Sequence, residues 1–155
     1  MVKVIICYDS KYGNTKQVTQ KIREGLCSIE GTEVDIVYVK EAGLKNLLHH
    51  DAIVLGAPNH MSQPSKAMKN FVDRLEKVEF KAKNAAVFGT YSGRLRVQDR
   101  AEKKLECILA EKLPKLKQVV PGLSVKVKGV TGPIEEGELH RCFEFGVKIK
   151  SQLKI

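Results

Sequence analysis

Nothing in this chain of 155 residues is built to cross a bilayer, and nothing in it staples loops together. No run reaches the roughly 18 apolar residues that a spanning helix needs. The chain enters an apolar segment directly, without the charged region, long apolar stretch and small-residue cleavage site of an export signal, so a cytoplasmic location is expected. Its four cysteines, Cys7, Cys27, Cys107 and Cys142, are far apart and form no C-x-x-C or Cys/His cluster. They are expected to be buried free thiols rather than metal ligands or disulfide partners. His49, His50 and His140 show no ligand spacing and read as surface or helix-end residues, so no metal site is expected. A dinucleotide fingerprint is also missing, because no G-x-G-x-x-G follows any strand-like segment.

Negative charge is in short supply. There are 27 Lys and Arg against 18 Asp and Glu, a formal net charge of +9. The excess is concentrated in Arg94–Lys128, where ten basic residues face four acidic ones. Aromatic residues that could stack bases are sparse there, which counts against nucleic acid. A solvated Lys-rich surface, an acidic protein partner and a phosphorylated ligand all fit the excess.

What the chain does have is alternation of strand-like and helix-like segments. Apolar runs at Val2–Tyr8, Asp51–Gly56 and Asn84–Gly89 read as strands buried on both faces. Glu33–Val39 and Ser124–Val130 carry charges and alternate, as edge strands do. Between them lie helices at about Thr15–Ile29, Gly43–His49, Ser65–Lys77, Val97–Lys112 and Glu135–Leu153. Their inward faces are predicted to carry Val18, Ile22 and Leu26, then Met68, Phe71, Val72 and Leu75, then Ala101, Leu105, Ile108 and Leu109. The last should present Leu139, Cys142, Phe143, Gly146 and Ile149. Five such units predict one three-layer α/β domain over residues 1–155, with a five-stranded parallel sheet and helices on both faces. The burial pattern favours strand order 2-1-3-4-5, with a switch point between strands one and three. Asp9–Asn14, Ala57–Pro64 and Thr90–Arg96 should meet there.

The first of these loops is the most informative segment. Tyr8-Asp9-Ser10-Lys11-Tyr12-Gly13-Asn14-Thr15 joins an apolar strand to an amphipathic helix. A turn bearing hydroxyls and Gly there aims backbone N–H groups at one spot, at the positive end of a helix dipole. That is a phosphate site.

Ser10-x-x-Gly13-x-Thr15 after this strand resembles the FMN phosphate loop of the flavodoxin family. Gly56-Ala57-Pro58-Asn59-His60-Met61 through Met68, Phe71 and Asp73 is similar to the flavin loop and following helix of flavodoxin-like NAD(P)H:quinone oxidoreductases. Gly89-Thr90-Tyr91-Ser92-Gly93 resembles the loop flanking the isoalloxazine ring. The resemblance implies a flavodoxin-like fold and FMN as cofactor. It implies phosphate contacts from Ser10, Lys11, Tyr12, Gly13, Asn14 and Thr15, mainly through hydroxyls and backbone N–H groups. Pro58, Asn59, His60 and Met61 would line one side of the ring, with His60 placed to tune it or pass a proton. Thr90, Tyr91, Ser92 and Gly93 would line the other, with Tyr91 stacking on the ring and Ser92 and Gly93 offering backbone contacts.

Two departures bear on electron use. Short electron-carrier flavodoxins resemble one another in an aromatic and a Gly in the second loop, where a peptide flip favours the one-electron state. Ala57–Pro64 has neither, and only Gly makes such a flip cheap. Those carriers are also typically acidic, whereas a +9 chain with Arg94 and Arg96 beside the ring loop should favour the fully reduced anionic flavin. A receiver domain of the same topology does not fit, since Asp51 starts strand three where its phosphoacceptor should end it. What is expected is an FMN redox protein exchanging electrons with a protein partner, an acidic one on charge. The alternative is an NAD(P)H-dependent quinone reductase, with Arg94, Arg96 and Arg100 receiving the nucleotide phosphates. No catalytic side chain is assigned, because the flavin carries the chemistry.

Overall fold

The computed structural model describes residues 1–60, 63–129 and 131–153. Strand β1 (Val2–Tyr8) lies between β2 (Thr32–Tyr38) and β3 (Ala52–His60), parallel to both. On the far side of β3 comes β5 (Asn84–Ser92), also parallel. A two-residue strand, β4 (Gln63–Pro64), turns back antiparallel on the end of β3.

The edge beyond β5 differs in detail from the predicted single fifth strand. It is shared by β6 (Lys117–Gln118) and β7 (Leu123–Val127), which pair with opposite ends of β5. Pro121 has no N–H to give a ladder, and the Val119–Gly122 stretch divides the two. Among the described residues the sheet therefore has seven strands, with the predicted order preserved along its parallel core.

Among the described residues, four α-helices cover it: α1 (Asn14–Cys27), α2 (Lys66–Glu76), α3 (Ala101–Lys112) and α4 (Glu138–Gln152). The alternation of β1 divides the core. Val4, Ile6 and Tyr8 face α1 and α4 with Val18, Ile22, Leu26, Phe145 and Ile149. Ile5 and Cys7 face α2 and α3 with Met68, Phe71, Leu75, Leu105 and Leu109. Among the described residues, no helix is long and apolar enough to cross a membrane.

Several expectations need correction. Helix α3 starts at Ala101 rather than Val97, because Val97–Asp99 forms a short 3-10 turn and Arg100 is extended. Helix α4 starts at Glu138, because the residues before it are drawn into the sheet edge. There Ile134 bridges Val127, and Glu135 N–H donates to the Lys126 carbonyl. Phe145, not Phe143, is the fully buried aromatic of α4. Gly43–His49 holds only a 3-10 turn at Leu44–Leu47. Cys7 and Cys142 are buried, and burial pushes the Cys142 thiol up to about 12 and that of Cys7 higher still. Cys27 and Cys107 are exposed instead, Cys27 ending α1 and Cys107 lying off the inward row of α3. His50 is buried, with Nε2 2.7 Å from Asp35 Oδ2.

Helices α1 and α4 meet through two glycines. A Cβ on Gly146 would lie 2.3 Å from the Ile22 carbonyl oxygen, and one on Gly25 would lie 2.1 Å from that of Phe143. Both obstacles are backbone, so a methyl group must push the helices apart. Gly146→Ala is expected to lower stability by about 2–3 kcal/mol, although Ala gains roughly 1 kcal/mol of helix propensity over Gly. Urea unfolding checks this; an unchanged midpoint would show that the contact carries no such strain.

Candidate functional site

The carboxyl ends of β1, β3 and β5 open into one cavity of about 720 Å³. That volume lies in the range of about 300–1,000 Å³ typical of small-molecule and cofactor sites. The turn after β1 brings the amino end of α1 to its wall. Gly13 precedes α1 with φ of 89°, a left-handed conformation that Gly adopts without penalty. Ser10 Oγ accepts a hydrogen bond from Gly13 N–H at 3.1 Å and so sets the turn. Helix α1 has no side-chain cap and no acidic residue in its first turn, leaving its amino end electropositive.

The walls are cross-linked. Thr15 Oγ1 and Thr90 Oγ1 lie 3.3 Å apart in a buried contact that ties the first loop to β5. The Tyr38 hydroxyl donates to the Ser10 carbonyl, and Thr19 Oγ1 donates to the Thr15 carbonyl at 2.8 Å. The second loop leads into α2, whose amide at Met68 donates to Ser65 Oγ at 3.3 Å. Asn59 Oδ1 is buried with no hydrogen-bond partner among the described residues, although Asn59 lines the cavity. Such an atom calls for a donor, and a ligand in the cavity can bring one.

Electrostatically the cavity is one-sided. Lys11, Lys40 and Lys66 line it, and Asp9 is its one acidic lining residue. Asp9 is 5% exposed, with its backbone N–H donating to the Gly56 carbonyl. Two helix amino ends, of α1 and α2, add to the positive side.

Tyr91 also lines the cavity, and the Arg100 guanidinium sits 4.3 Å from its ring centroid. Arg100 further donates to the Leu95 carbonyl at 3.2 Å and to Ser124 Oγ at 3.1 Å. It therefore braces the third loop against β7. Arg96 reaches Asp99 at 3.3 Å, and Arg94 is exposed. Glu102 lies buried behind this brace with Oε2 unpartnered, and burial raises its carboxyl pKa.

The structure brings Lys11, Tyr12, Asn14, Thr15, Pro58, Asn59, Thr90, Tyr91 and Ser92 together on the cavity wall. Ser10 and Gly13 shape the turn without lining the cavity, while Gly93 lines a neighbouring basin. Met61 falls outside the described residues, and of His60 only the strand pairing with Gln63 is described. Sequence reasoning did not single out Asp9, Lys40, Ser65, Lys66, Ala67 or Asn70, which also line it. The signal for Asp9 and Lys40 was position alone, since both stand just beyond the carboxyl end of a strand.

Comparisons with known proteins give one family model over most of the chain and several partial relatives. A model described as a flavodoxin domain matches residues 5–127. A flavodoxin of Aquifex aeolicus is 41% identical over 73 residues, spanning 47% of this chain and 40% of its own. The coenzyme F420H(2) oxidase of Methanothermobacter marburgensis is 27% identical over 160 residues, 98% of this chain and 36% of the oxidase. The chain thus spans less than half the length of these curated relatives. Among solved structures, oxidised Flavodoxin 1 of Bacillus cereus superposes with a TM-score of 0.78 at 21% identity. That match covers 98% of this chain and 99% of the other.

Proposed function

The chain belongs to the flavodoxin family, and from that membership we propose that it binds FMN in the cavity and exchanges electrons with a protein partner. The observation that carries this reading is the pairing of an uncapped helix amino end with a cavity holding Asn59 Oδ1, unpartnered among the described residues. The first suits a phosphate, and the second suits an N–H of a heterocycle.

The residues divide the work by chemistry. Thr15 and the first-turn amides of α1 hold the phosphate, and Lys11 balances its charge. Asp9, Asn14 and Thr90 offer acceptors and donors to a hydroxylated chain leaving that phosphate. Pro58 and Tyr91 present apolar surface for a flat ring, with Arg100 bracing Tyr91. When bound, FMN supplies one- or two-electron chemistry, and the protein orients it and excludes water.

A carrier role is favoured over an NAD(P)H-dependent quinone reductase by the arginines. Arg100 is engaged by Tyr91, Leu95 and Ser124. The three arginines expected to receive nucleotide phosphates are therefore not all free to do so. The partial match to an F420H(2) oxidase also suits a module that passes electrons on.

The test is direct. Purified protein is heated, the released flavin identified by chromatography, and NADH and NADPH oxidation assayed with a quinone. FMN release with negligible turnover is the expected result. Protein that neither releases flavin nor takes up added FMN would overturn the reading, and rapid NAD(P)H oxidation would replace the carrier with the reductase.

A further inference from the structure

The fold divides the basic region Arg94–Lys128 between opposite poles of the molecule. Lys117 pairs with Asn84 at the amino end of β5, and Lys126 pairs with Tyr91 near its carboxyl end. At about 3.3 Å per residue, those pairings lie about 23 Å apart. Only the second group borders the cavity.

The carboxyl pole gathers cations that the sequence region does not contain. Lys11, Lys40 and Lys66 line the main cavity. Beside it a basin of about 750 Å³ is lined by Arg94, Lys126 and Lys128, with Glu135 and Glu136. Val127 lines both, so the two depressions adjoin. Lys126 Nζ lies 3.8 Å from Glu135 Oε2. Among the described residues, no ion pair takes up Lys11, Lys40, Lys66, Arg94 or Lys128.

Width decides what such a ring can hold. Lys40 follows β2 at one edge of the sheet, and Lys126 lies on β7 at the other. Four inter-strand spacings separate them, about 19 Å. One small anion cannot engage both sides, whereas a protein face burying about 800 Å² is wide enough. Like charges held apart around a mouth also steer an oppositely charged partner towards it.

We propose that this ring of cations is the docking surface for an acidic redox protein, seated across the cavity and the adjoining basin. The proposal rests on the flavin reading of the cavity, because the partner's redox centre must approach the group with which it exchanges electrons. The lysines of the amino pole take no part.

Calorimetric titration with a plant-type [2Fe–2S] ferredoxin, an acidic probe, tests the surface at low ionic strength on both apoprotein and FMN-loaded protein. Arg94→Glu with Lys128→Glu is expected to weaken binding about tenfold or more, and Lys40→Glu with Lys66→Glu similarly. Lys83→Glu with Lys117→Glu makes the same change of net charge at the amino pole, and is expected to weaken it less than about twofold. Equal weakening by mouth and amino-pole variants would report net charge alone and overturn the proposal, as would the absence of saturable binding. Saturable NADPH binding that the mouth variants abolish, with ferredoxin binding unchanged, would give the surface to a dinucleotide and likewise overturn it. Protein that takes up no FMN yet binds ferredoxin in the expected pattern would sink the flavin reading while supporting the surface.

Discussion

FMN is expected to bind the apoprotein about a thousandfold more tightly than riboflavin, a difference of about 4 kcal/mol. The two ligands differ only in the phosphate, so the ratio isolates the loop between β1 and α1. Helix α1 is 14 residues long, begins after a left-handed Gly13, and has neither a side-chain cap nor a first-turn carboxylate. Its leading amides are therefore available to an anion, and hydrogen bonds to a charged group are worth about 1.5–3 kcal/mol each. Two or three of them, less the desolvation of the phosphate, reach the stated difference. Quenching of flavin fluorescence on titration with apoprotein measures it. Thr15→Val should reduce FMN affinity by about tenfold and riboflavin affinity less, since it removes one hydroxyl from the phosphate side. It also breaks the 3.3 Å contact with Thr90, so a comparable loss for riboflavin would mark Thr15 as a wall residue only. Equal affinity of the wild-type protein for both ligands would remove the phosphate role from this loop.

How far this was legible in the sequence depends on the range of the interaction. Val2–Tyr8 is legible to the residue, because a short, almost wholly apolar run broken only by the exposed Lys3 suits a strand buried on both faces. The inward rows of α2 and α3 follow from helical periodicity, which needs no partner to be seen. The last strand was not readable, because its division into β6 and β7 follows from what pairs with each end of β5. The start of α4 was misplaced for the same kind of reason. Glu135 lies on a chain that looks helical, yet its N–H is claimed by the Lys126 carbonyl. Burial of His50 depends on Asp35, fifteen residues away on β2, and nothing local announces it.

The cavity shows the same division. Motif spacing draws attention to three loops, and the fold brings nine of the fourteen expected site residues to one wall. The contact of Thr15 with Thr90 spans 75 residues and has no sequence signature. Lys40 and Lys66 carry no motif either; they reach the mouth because β2 ends and α2 begins there. A net charge of +9 could be read directly, but not which cations would stand near the ligand.

Those two lysines give the remaining large effect. Lys40→Glu with Lys66→Glu is expected to lower the two-electron midpoint potential of the bound flavin by about 50 mV at low ionic strength. Full reduction at neutral pH adds one negative charge to the ring system, and Lys11, Lys40 and Lys66 on the wall favour that charge. Taking about 10 Å to the ring and an effective dielectric constant of about 50 between surface and bulk values, each unit charge contributes about 0.7 kcal/mol. Reversing two lysines changes four units, about 2.7 kcal/mol, which for two electrons is about 57 mV before screening by salt. The sign is fixed: replacing cations with anions disfavours the added electron charge, so the potential must fall. Anaerobic titration with a reference dye measures it, and added salt should shrink the shift as the Debye length contracts. Lys83→Glu with Lys117→Glu removes the same net charge from the amino pole and should move the potential by less than about 15 mV after screening. A shift of the same size from that pair would show that net charge, not the cations at the mouth, sets the potential. An unchanged potential in the mouth variant would place the flavin beyond the reach of Lys40 and Lys66, away from the wall on which Asp9 is the one acidic lining residue.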